Sequence, residues 1–247
     1  MRMDLLNTQV DNLTMEEALD AAQQLIEKGQ VSYVVTPNVD HIVIMEKDGQ
    51  FAQLYQQADL ILTDGKPLVW ISKLNGTPIK EKISGSDFFP ALCERAAEKG
   101  YSLFILGAAQ GVAAKAAENL QAKYPGLQIA GTYSPPVGFE KDAQELQKIA
   151  DMIRTANPTI LAVSLGSPQG EKFIYQHKDT FGVPLSLSIG AAVDFEAGNV
   201  KRAPKWMSDH GLEWLYRMAQ EPKRLAKRYF VDAVEILPIA WKYRKRK

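Results

Sequence analysis

The sequence predicts an α/β fold, a mostly parallel sheet with helices on both faces, followed by a basic helical appendage at the C-terminal end. Short β-branched runs alternate along the chain with longer segments of helical period, which is typical of parallel sheets in Rossmann-like lobes. A chain of 247 residues with 46% hydrophobic and 23% charged content is long enough for one large core or two closely joined lobes.

Strands and helices are expected in a regular order. The strands are predicted at residues 31–36, 59–63, 101–106, 127–131, 159–165 and 184–189. The helices are predicted at residues 14–28, 39–48, 86–99, 111–124, 141–156 and 170–180. Thr14 and Glu17 have capping-box spacing at the first helix, and Ser86 or Asp87 can cap the third. Because ligands collect beyond the carboxyl ends of parallel strands, the polar residues after each strand are candidate site residues.

The net charge of zero conceals an acidic body and a basic appendage. Residues 201–247 contain 13 Lys and Arg against 5 Asp and Glu, which leaves 16 against 24 in residues 1–200, since the chain has 29 of each sign. We therefore divide the chain into an α/β body, 1–200, and an appendage, 201–247. The asymmetry indicates an anionic partner such as lipid headgroups, a diphosphate or nucleic acid.

Composition disfavours several classes of protein. With Cys93 as the single cysteine, the chain can form neither an intramolecular disulfide nor a cysteine-based zinc site. The three histidines are far apart, and Asp194 with Glu196 matches a metal-holding acidic motif only inexactly, so we expect no metal and no other cofactor. No stretch has the core of a signal peptide or the roughly 20 apolar residues that span a bilayer, so we expect a cytoplasmic protein.

Asp64 follows an apolar strand in a tight Asp-Gly turn. A carboxylate at a strand end can be partly desolvated without being buried, and this environment suits a general base that takes a proton from an attacking hydroxyl. The simpler interpretation is that Asp64 caps the following turn, as Asp often does, and spacing alone favours it.

Thr36, Asn38 and Asp40 alternate after the first predicted strand of the body. Threonine and asparagine side chains are natural donors and acceptors for hydroxyl or acetamido groups. The same pattern fits an Asx-type turn leading into the helix at 39–48, so both interpretations stay open.

The appendage ends in apolar residues at roughly helical spacing, followed by a basic cluster at 242–247. The apolar residues are Leu225, Tyr229, Ala233, Leu237 and Trp241. This pattern suits a helix lying in an anionic membrane surface, and the alternative is a last helix packed on the core with a solvated basic end. We expect no nucleic-acid partner, because the basic residues form no recognised motif and the body is acidic. Apolar surface on such a tail favours a homo-oligomer in solution.

Short segments along nearly the whole chain resemble the WecG/TagA/CpsF family of glycosyltransferases. Each is weak alone, but their order is specific. They are TPN at 36–38, ADLILTDG at 58–65, SGSD at 84–87, FILG at 104–107, LGSP at 165–168, GAAVD at 190–194, RAP at 202–204 and GLEWLYR at 211–217, followed by Pro222 and Arg224.

The resemblance implies an inverting, metal-independent transferase. Such an enzyme moves N-acetylmannosamine, or in some branches another hexose, from a UDP-sugar to undecaprenyl-diphosphate-linked N-acetylglucosamine for teichoic acid or other surface polysaccharide. It works peripherally, on the inner face of the cell membrane. The resemblance assigns Asp64 as the catalytic base. It places substrate-binding residues at Thr36, Asn38, Lys82, Gln169, Asp194, Arg202, Arg217, Arg224 and Arg228, of which the last three neutralise a diphosphate.

Two positions depart from the family pattern. Lys82 stands where the family commonly has Arg, and a lysine cannot make a bidentate diphosphate contact. Gly170 stands where the family often has Gln, so Gln169 is expected to substitute from the adjacent position. Both departures bear on the identity of the sugar. The alternatives are therefore a glucosyl- or galactosyl-type transferase for capsule or exopolysaccharide, and a noncatalytic nucleotide-binding module that docks on membranes.

Overall fold

The computed structural model describes residues 2–244, except for the side chains of Lys205, Asp209 and Arg224. A hairpin of β1 (Arg2–Leu5) and β2 (Thr8–Asp11) precedes the central sheet. The sheet strands are β3 (Ser32–Val35), β4 (Leu60–Ile61), β5 (Ser102–Gly107), β6 (Gln128–Tyr133), β7 (Ile160–Ser164) and β8 (Leu185–Ser188). They are parallel and lie in the order β4-β3-β8-β7-β5-β6. All six predicted strands are confirmed, although β4 is reduced to two residues.

The helices include all six that the sequence predicts and several that it does not. Those predicted are α1 (Met15–Glu27), α2 (Val39–Lys47), α5 (Gly85–Lys99), α6 (Val112–Lys123), α7 (Ala143–Ala156) and α8 (Gln169–Phe181). The helix expected in the appendage is α12 (Pro222–Lys242), and the helices that the sequence does not predict are α3 (Gly49–Gln56), α4 (Lys66–Leu74), α9 (Ala192–Glu196), α10 (Lys205–Asp209) and α11 (Glu213–Gln220), with a 3₁₀ turn at Phe139–Lys141. The capping box of α1 is confirmed, whereas α5 is capped by Ser84, which accepts from the Asp87 N–H, and not by Ser86 or Asp87.

The sheet separates two hydrophobic cores, which confirms helices on both faces. Successive residues of a strand point to opposite faces, and in β3 the side chains of Tyr33 and Val35 enter one core while Val34 enters the other. Helices α2, α3, α7 and α8 cover the first face, and α1, α5, α6 and α9 cover the second. Because both faces are buried, the strands are continuous apolar runs, and this is why the sequence predicts them.

The N-terminal hairpin covers the β4 edge of the sheet. The Ile61 N–H donates to the Asp11 carboxylate at 2.9 Å, and the Arg2 guanidinium donates to the carbonyl of Asp59 at 2.9 Å. Edge strands that are left open invite pairing with other chains. The sequence gives little sign of this hairpin, because each strand has only four residues.

Helix α12 of the appendage has two distinct sides. Leu225, Ile236 and Ile239 are buried, the last two in the core that includes α2. Phe230, Val234, Leu237 and Trp241, spaced for one side of a helix, are 54–71% exposed. Of the predicted apolar stripe, Leu225 is buried and Tyr229 is partly exposed, whereas Ala233, Leu237 and Trp241 are exposed. No helix within residues 2–244 is both long enough and apolar enough to cross a membrane.

Candidate active site

Asp64 lies directly after β4, at the carboxyl edge of the sheet. Its backbone N–H donates to the carbonyl of Pro37 at 2.9 Å, which ties it to the loop after β3. Gly65, with φ of +93°, then turns the chain into α4, a conformation that glycine adopts without strain. As a whole residue, Asp64 is partly exposed. Desolvation raises its pKa from 3.8 to about 6, and nearby Lys82 opposes this rise.

Thr36 and Asn38 lie beside Asp64 in the loop between β3 and α2. A Cβ at Gly85 would be 3.2 Å from Thr36 Oγ1, so the glycine allows α5 to begin against this threonine. Asn38 caps α2, and its Oδ1 accepts from the backbone N–H of His41 at 3.3 Å. The structure therefore confirms the turn interpretation of Asn38, but its side chain stays partly exposed at the site.

A cleft of about 560 Å³ carries cationic side chains, and two residues of its lining, Lys82 and Asp87, act electrostatically on Asp64. A backbone hydrogen bond ties the segment of Asp64 to the segment of Lys82. The N–H of Ile83, which follows Lys82, donates to the carbonyl of Thr63, which precedes Asp64, at 2.8 Å. The residues that line the cleft are Met15, Lys66, Glu81, Lys82, Asp87, Arg202, Ala203 and Ser208. Three of these side chains are cations and two, Glu81 and Asp87, are carboxylates, so the lining carries a small net positive charge that favours an anion.

Asp87 holds two of these cations in place. Its carboxylate contacts Lys82 Nζ at 2.7 Å and Ser84 Oγ at 2.6 Å, and it also pairs with Arg202. Burial raises the pKa of Asp87, but these partners outweigh it and hold the pKa at about 2. Burial likewise disfavours the charge of Lys82, but the carboxylates around it raise its pKa. Lys82 is therefore a charged and oriented group.

The appendage brings further charges to the site. The guanidinium groups of Arg202 and Arg217 lie over the ring of Phe195, 5.8 and 5.7 Å from its centroid. The negative charge of Glu213, at the start of α11, adds to the raised pKa of Asp64. Arg228 lies 3.8 Å from the Asp40 carboxylate, at the start of α2. The diphosphate roles of these arginines remain predictions.

The remaining predicted residues occupy less central or undescribed positions. Gln169 is an exposed residue in the first turn of α8, and Asp194 lies on α9 next to Phe195. The side chain of Arg224 and residues 245–247 of the basic cluster are outside the described part of the chain. Within that part, no group of three or more His, Cys, Asp or Glu residues could hold a metal ion.

Sequence reasoning missed several residues of the site. They are Lys66, Asp87, Phe195 and Glu213. Signals were present for two of them, because Asp87 lies in the SGSD segment and Glu213 in the GLEWLYR segment. Phe195 gave no signal of its own, since its role depends on two arginines that approach only in the folded chain.

Comparison with known proteins identifies the family. The model of the glycosyl transferase WecG/TagA/CpsF family matches residues 3–247. An N-acetylglucosaminyldiphosphoundecaprenol N-acetyl-beta-D-mannosaminyltransferase of Bacillus spizizenii strain W23 is 34% identical over 199 residues, which is 81% of this chain and 75% of that protein. A protein of the same name from Bacillus subtilis strain 168 is 34% identical over 196 residues, 79% of this chain and 73% of that protein. The chain therefore belongs to the WecG/TagA/CpsF family of glycosyltransferases.

Proposed function

We propose that the protein is an inverting transferase that moves N-acetylmannosamine from a UDP-sugar to undecaprenyl-diphosphate-linked N-acetylglucosamine, for teichoic acid or other surface polysaccharide. The names of the two Bacillus relatives support the acceptor and the transferred sugar. Asp64 carries the proposal, because it is a partly exposed residue of raised pKa on which charges of a cationic cleft act, in a glycosyltransferase chain.

In the proposed reaction, the acceptor hydroxyl oxygen bonds to the anomeric carbon while Asp64 takes the hydroxyl proton. The bond from that carbon to the diphosphate oxygen breaks, and its electron pair leaves with UDP. Attack from the face opposite UDP inverts the anomeric configuration. A base with a pKa of about 6 is ionised at neutral pH and still basic enough to assist the attack.

Protein cations stabilise the departing UDP in this proposal. Lys82 and Arg202, oriented by Asp87, face the cleft together with Lys66, and Arg217 stacks next to Arg202 on the same ring. Preorganised charges of this kind stabilise the charge that develops in the transition state. We therefore extend the proposal to turnover without a metal. Turnover that EDTA abolishes and Mg²⁺ restores would contradict this part.

The test is UDP release from a panel of UDP-hexoses with a short-chain lipid-diphosphate-N-acetylglucosamine acceptor. Asp64→Asn should keep UDP affinity and lose turnover by a factor of about 10²–10⁴. Asp151→Asn is the matched control, because Asp151 is an exposed carboxylate on α7 and should behave as wild type. If the wild type binds UDP but turns over no donor, the noncatalytic-module alternative holds.

The second candidate donor is another UDP-hexose, for capsule or exopolysaccharide. Gly170 favours it, because a Cβ at this position would lie 2.8 Å from Ser188 Oγ and the family's usual glutamine side chain cannot be accommodated there without rearrangement. The same donor panel separates the two candidates. A higher kcat/KM for UDP-glucose or UDP-galactose than for UDP-N-acetylmannosamine would select this second candidate.

We further propose that the appendage binds an anionic membrane surface on the cytoplasmic side, where the lipid-linked acceptor resides. Support comes from the exposed apolar residues of α12, which we call the exposed row: Phe230, Val234, Leu237 and Trp241. The aromatic residues Trp206 and Trp214 of the appendage are exposed as well. Exposed basic residues of the same helix, Lys223 and Lys227, accompany the apolar row. Apolar burial and attraction to anionic lipid act together in such a helix. Without a membrane, the same row favours self-association.

Vesicle binding tests this part. Phe230→Asp should weaken sedimentation with vesicles of anionic lipid and should also shift any oligomer toward monomer. Val137→Asp is the matched control, because Val137 is also an exposed apolar residue but lies in a loop of the body. Equal losses in both variants would contradict the assignment. Binding to DNA that outcompetes vesicles would instead favour a nucleic-acid partner.

A further inference from the structure

A buried series of polar side chains extends from Asn38 through His41 and Glu171 to Ser188. The proposed reaction assigns no role to these buried groups. His41 on α2 and Glu171 on α8 are 7% and 5% exposed. His41 Nε2 lies 3.2 Å from Glu171 Oε1, which also accepts from Ser188 Oγ at 3.1 Å. Buried polar groups are costly unless they are paired, so this arrangement calls for an explanation.

The contacts of Asn38 fix which way its amide faces. The backbone N–H of His41 can only donate, so the side-chain atom 3.3 Å from it must be Oδ1. The Nδ2 group therefore points away from α2. Among the described atoms of residues 2–244, which leave out the side chains of Lys205, Asp209 and Arg224, none accepts a hydrogen bond from Nδ2, and Asn38 is partly exposed at the proposed sugar site. Asn38 thus presents a donor to the site.

The short contacts of the His41 ring favour its charged form. Nδ1 lies 2.7 Å from Asn38 Oδ1, a distance at which two acceptors would repel each other, so Nδ1 carries a proton. The Asn38 backbone N–H also points at Nδ1 from 3.2 Å, as the second half of the α2 capping box, so a proton on Nδ1 leaves that N–H without its acceptor; we give the shorter contact the greater weight. Nε2 faces a carboxylate and carries a proton as well. His41 is therefore an imidazolium that donates to Asn38 and to Glu171.

The surroundings of His41 support its positive charge. Burial lowers the pKa of His41, but the hydrogen bond and charge of Glu171, with Asp40 and Asp64, outweigh it and raise the pKa. The rings of Phe51 and Tyr55 on α3 lie 6.2 and 5.9 Å away and are uncharged. On α12, Asp232 interacts electrostatically with His41, and Glu235 and the cation Arg228 act in turn on Asp232.

Gly170 allows the Ser188 end of this polar series to form. Its missing Cβ leaves room for the Ser188 hydroxyl, which in turn donates to Glu171. Any larger residue at this position would press on Ser188. The glycine at position 170, where the family often has glutamine, therefore leaves space for the hydrogen bond between Ser188 and Glu171.

We propose that His41 and Glu171 form a positioning pair that holds Asn38 as a hydrogen-bond donor to an oxygen of the sugar bound beside Asp64. The inference rests on the proposed function and deepens it. The pair touches no reacting atom and acts only through Asn38. The sugar group that it recognises is an acceptor, either a hydroxyl or the carbonyl of an acetamido group.

The test compares Glu171→Gln in two backgrounds. In the wild-type chain, this nearly isosteric change should lower kcat/KM for the sugar donor by about tenfold to hundredfold, the effect of losing a charge-assisted hydrogen bond, mainly through KM. UDP affinity should stay within about twofold of wild type. In an Asn38→Ala background, the same change should have almost no further effect, because the pair acts through Asn38. An equal loss in both backgrounds would overturn the proposal.

A second measurement needs no variant. ¹⁵N NMR of the wild-type protein should show both ring nitrogens of His41 protonated at pH 7. A neutral ring at that pH would overturn the pair even if Glu171→Gln failed to fold. These results can be told apart from failure of the proposed function. If the proposed function is wrong, the wild-type protein turns over no UDP-sugar, whatever the charge of His41.

Discussion

Replacing Asp64 by Asn should stabilise the fold while it removes turnover. The pKa of Asp64 is about 6 in the folded protein against an ordinary value of 3.8, so the folded state binds this proton more tightly than the unfolded state. The stability therefore falls as pH rises from about 3.8 to about 6, and the full cost is present above that range. With about 1.4 kcal/mol for each pH unit between the two values, the cost is at most about 3 kcal/mol, and solvent screening at this partly exposed residue reduces it.

Asparagine resembles the protonated acid and does not carry this cost. Near pH 8, Asp64→Asn should raise the free energy of unfolding by about 1–3 kcal/mol, and near pH 5 by about half as much. Urea unfolding followed by tryptophan fluorescence measures both values, since the chain has 4 tryptophans. Asp151→Asn, on the exposed side of α7, should change stability by less than about 0.5 kcal/mol. The reasoning fails if Asp64→Asn is no more stable than wild type near pH 8, or if its advantage grows as pH falls.

Three other predictions follow from the site and the sheet. Below a pH of about 6, kcat/KM should fall about tenfold per pH unit as Asp64 becomes protonated, and a flat profile of UDP release would exclude it as the base. Lys82→Met should weaken UDP binding about tenfold or more in calorimetry, because it removes a cation that Asp87 orients in the cleft, and unchanged affinity would place the diphosphate elsewhere. Gly131→Ala should cost about 1–3 kcal/mol in thermal unfolding, because the new Cβ would lie 2.6 Å from the Phe104 ring; an unchanged melting temperature would show that β6 can move away.

The strands were predictable because strands that are buried on both faces consist of continuous apolar residues. A strand covered on both faces needs a continuous apolar run, and β5 and β7 provide one. Helix α4 was missed because Gly65 and Pro67 at its start suggest a turn. Proline is, however, well tolerated in the first turn of a helix, where its missing N–H would have no partner.

The site was predictable only where one residue carries the signal. Asp64 could be found because it ends an apolar strand, although its raised pKa depends on a cleft that the sequence does not reveal. The pair of His41 and Glu171 could not be found, because 130 positions separate them and each alone resembles an ordinary helix residue. Arg217 was predicted by family resemblance, but its contact with Phe195 arises only when the appendage folds back onto the body.

The two-sided packing of α12 has a consequence for how this chain can change over evolution. Its buried side supplies Ile236 and Ile239 to the same core as Ile42 of α2, and α2 begins at the Asn38 cap. Loss of the helix would therefore uncover apolar body surface and loosen the loop that carries Asn38. The exposed residues Phe230, Val234, Leu237 and Trp241 are free of this constraint, so they can change independently of the body, whereas the residues on the buried side can change only together with it.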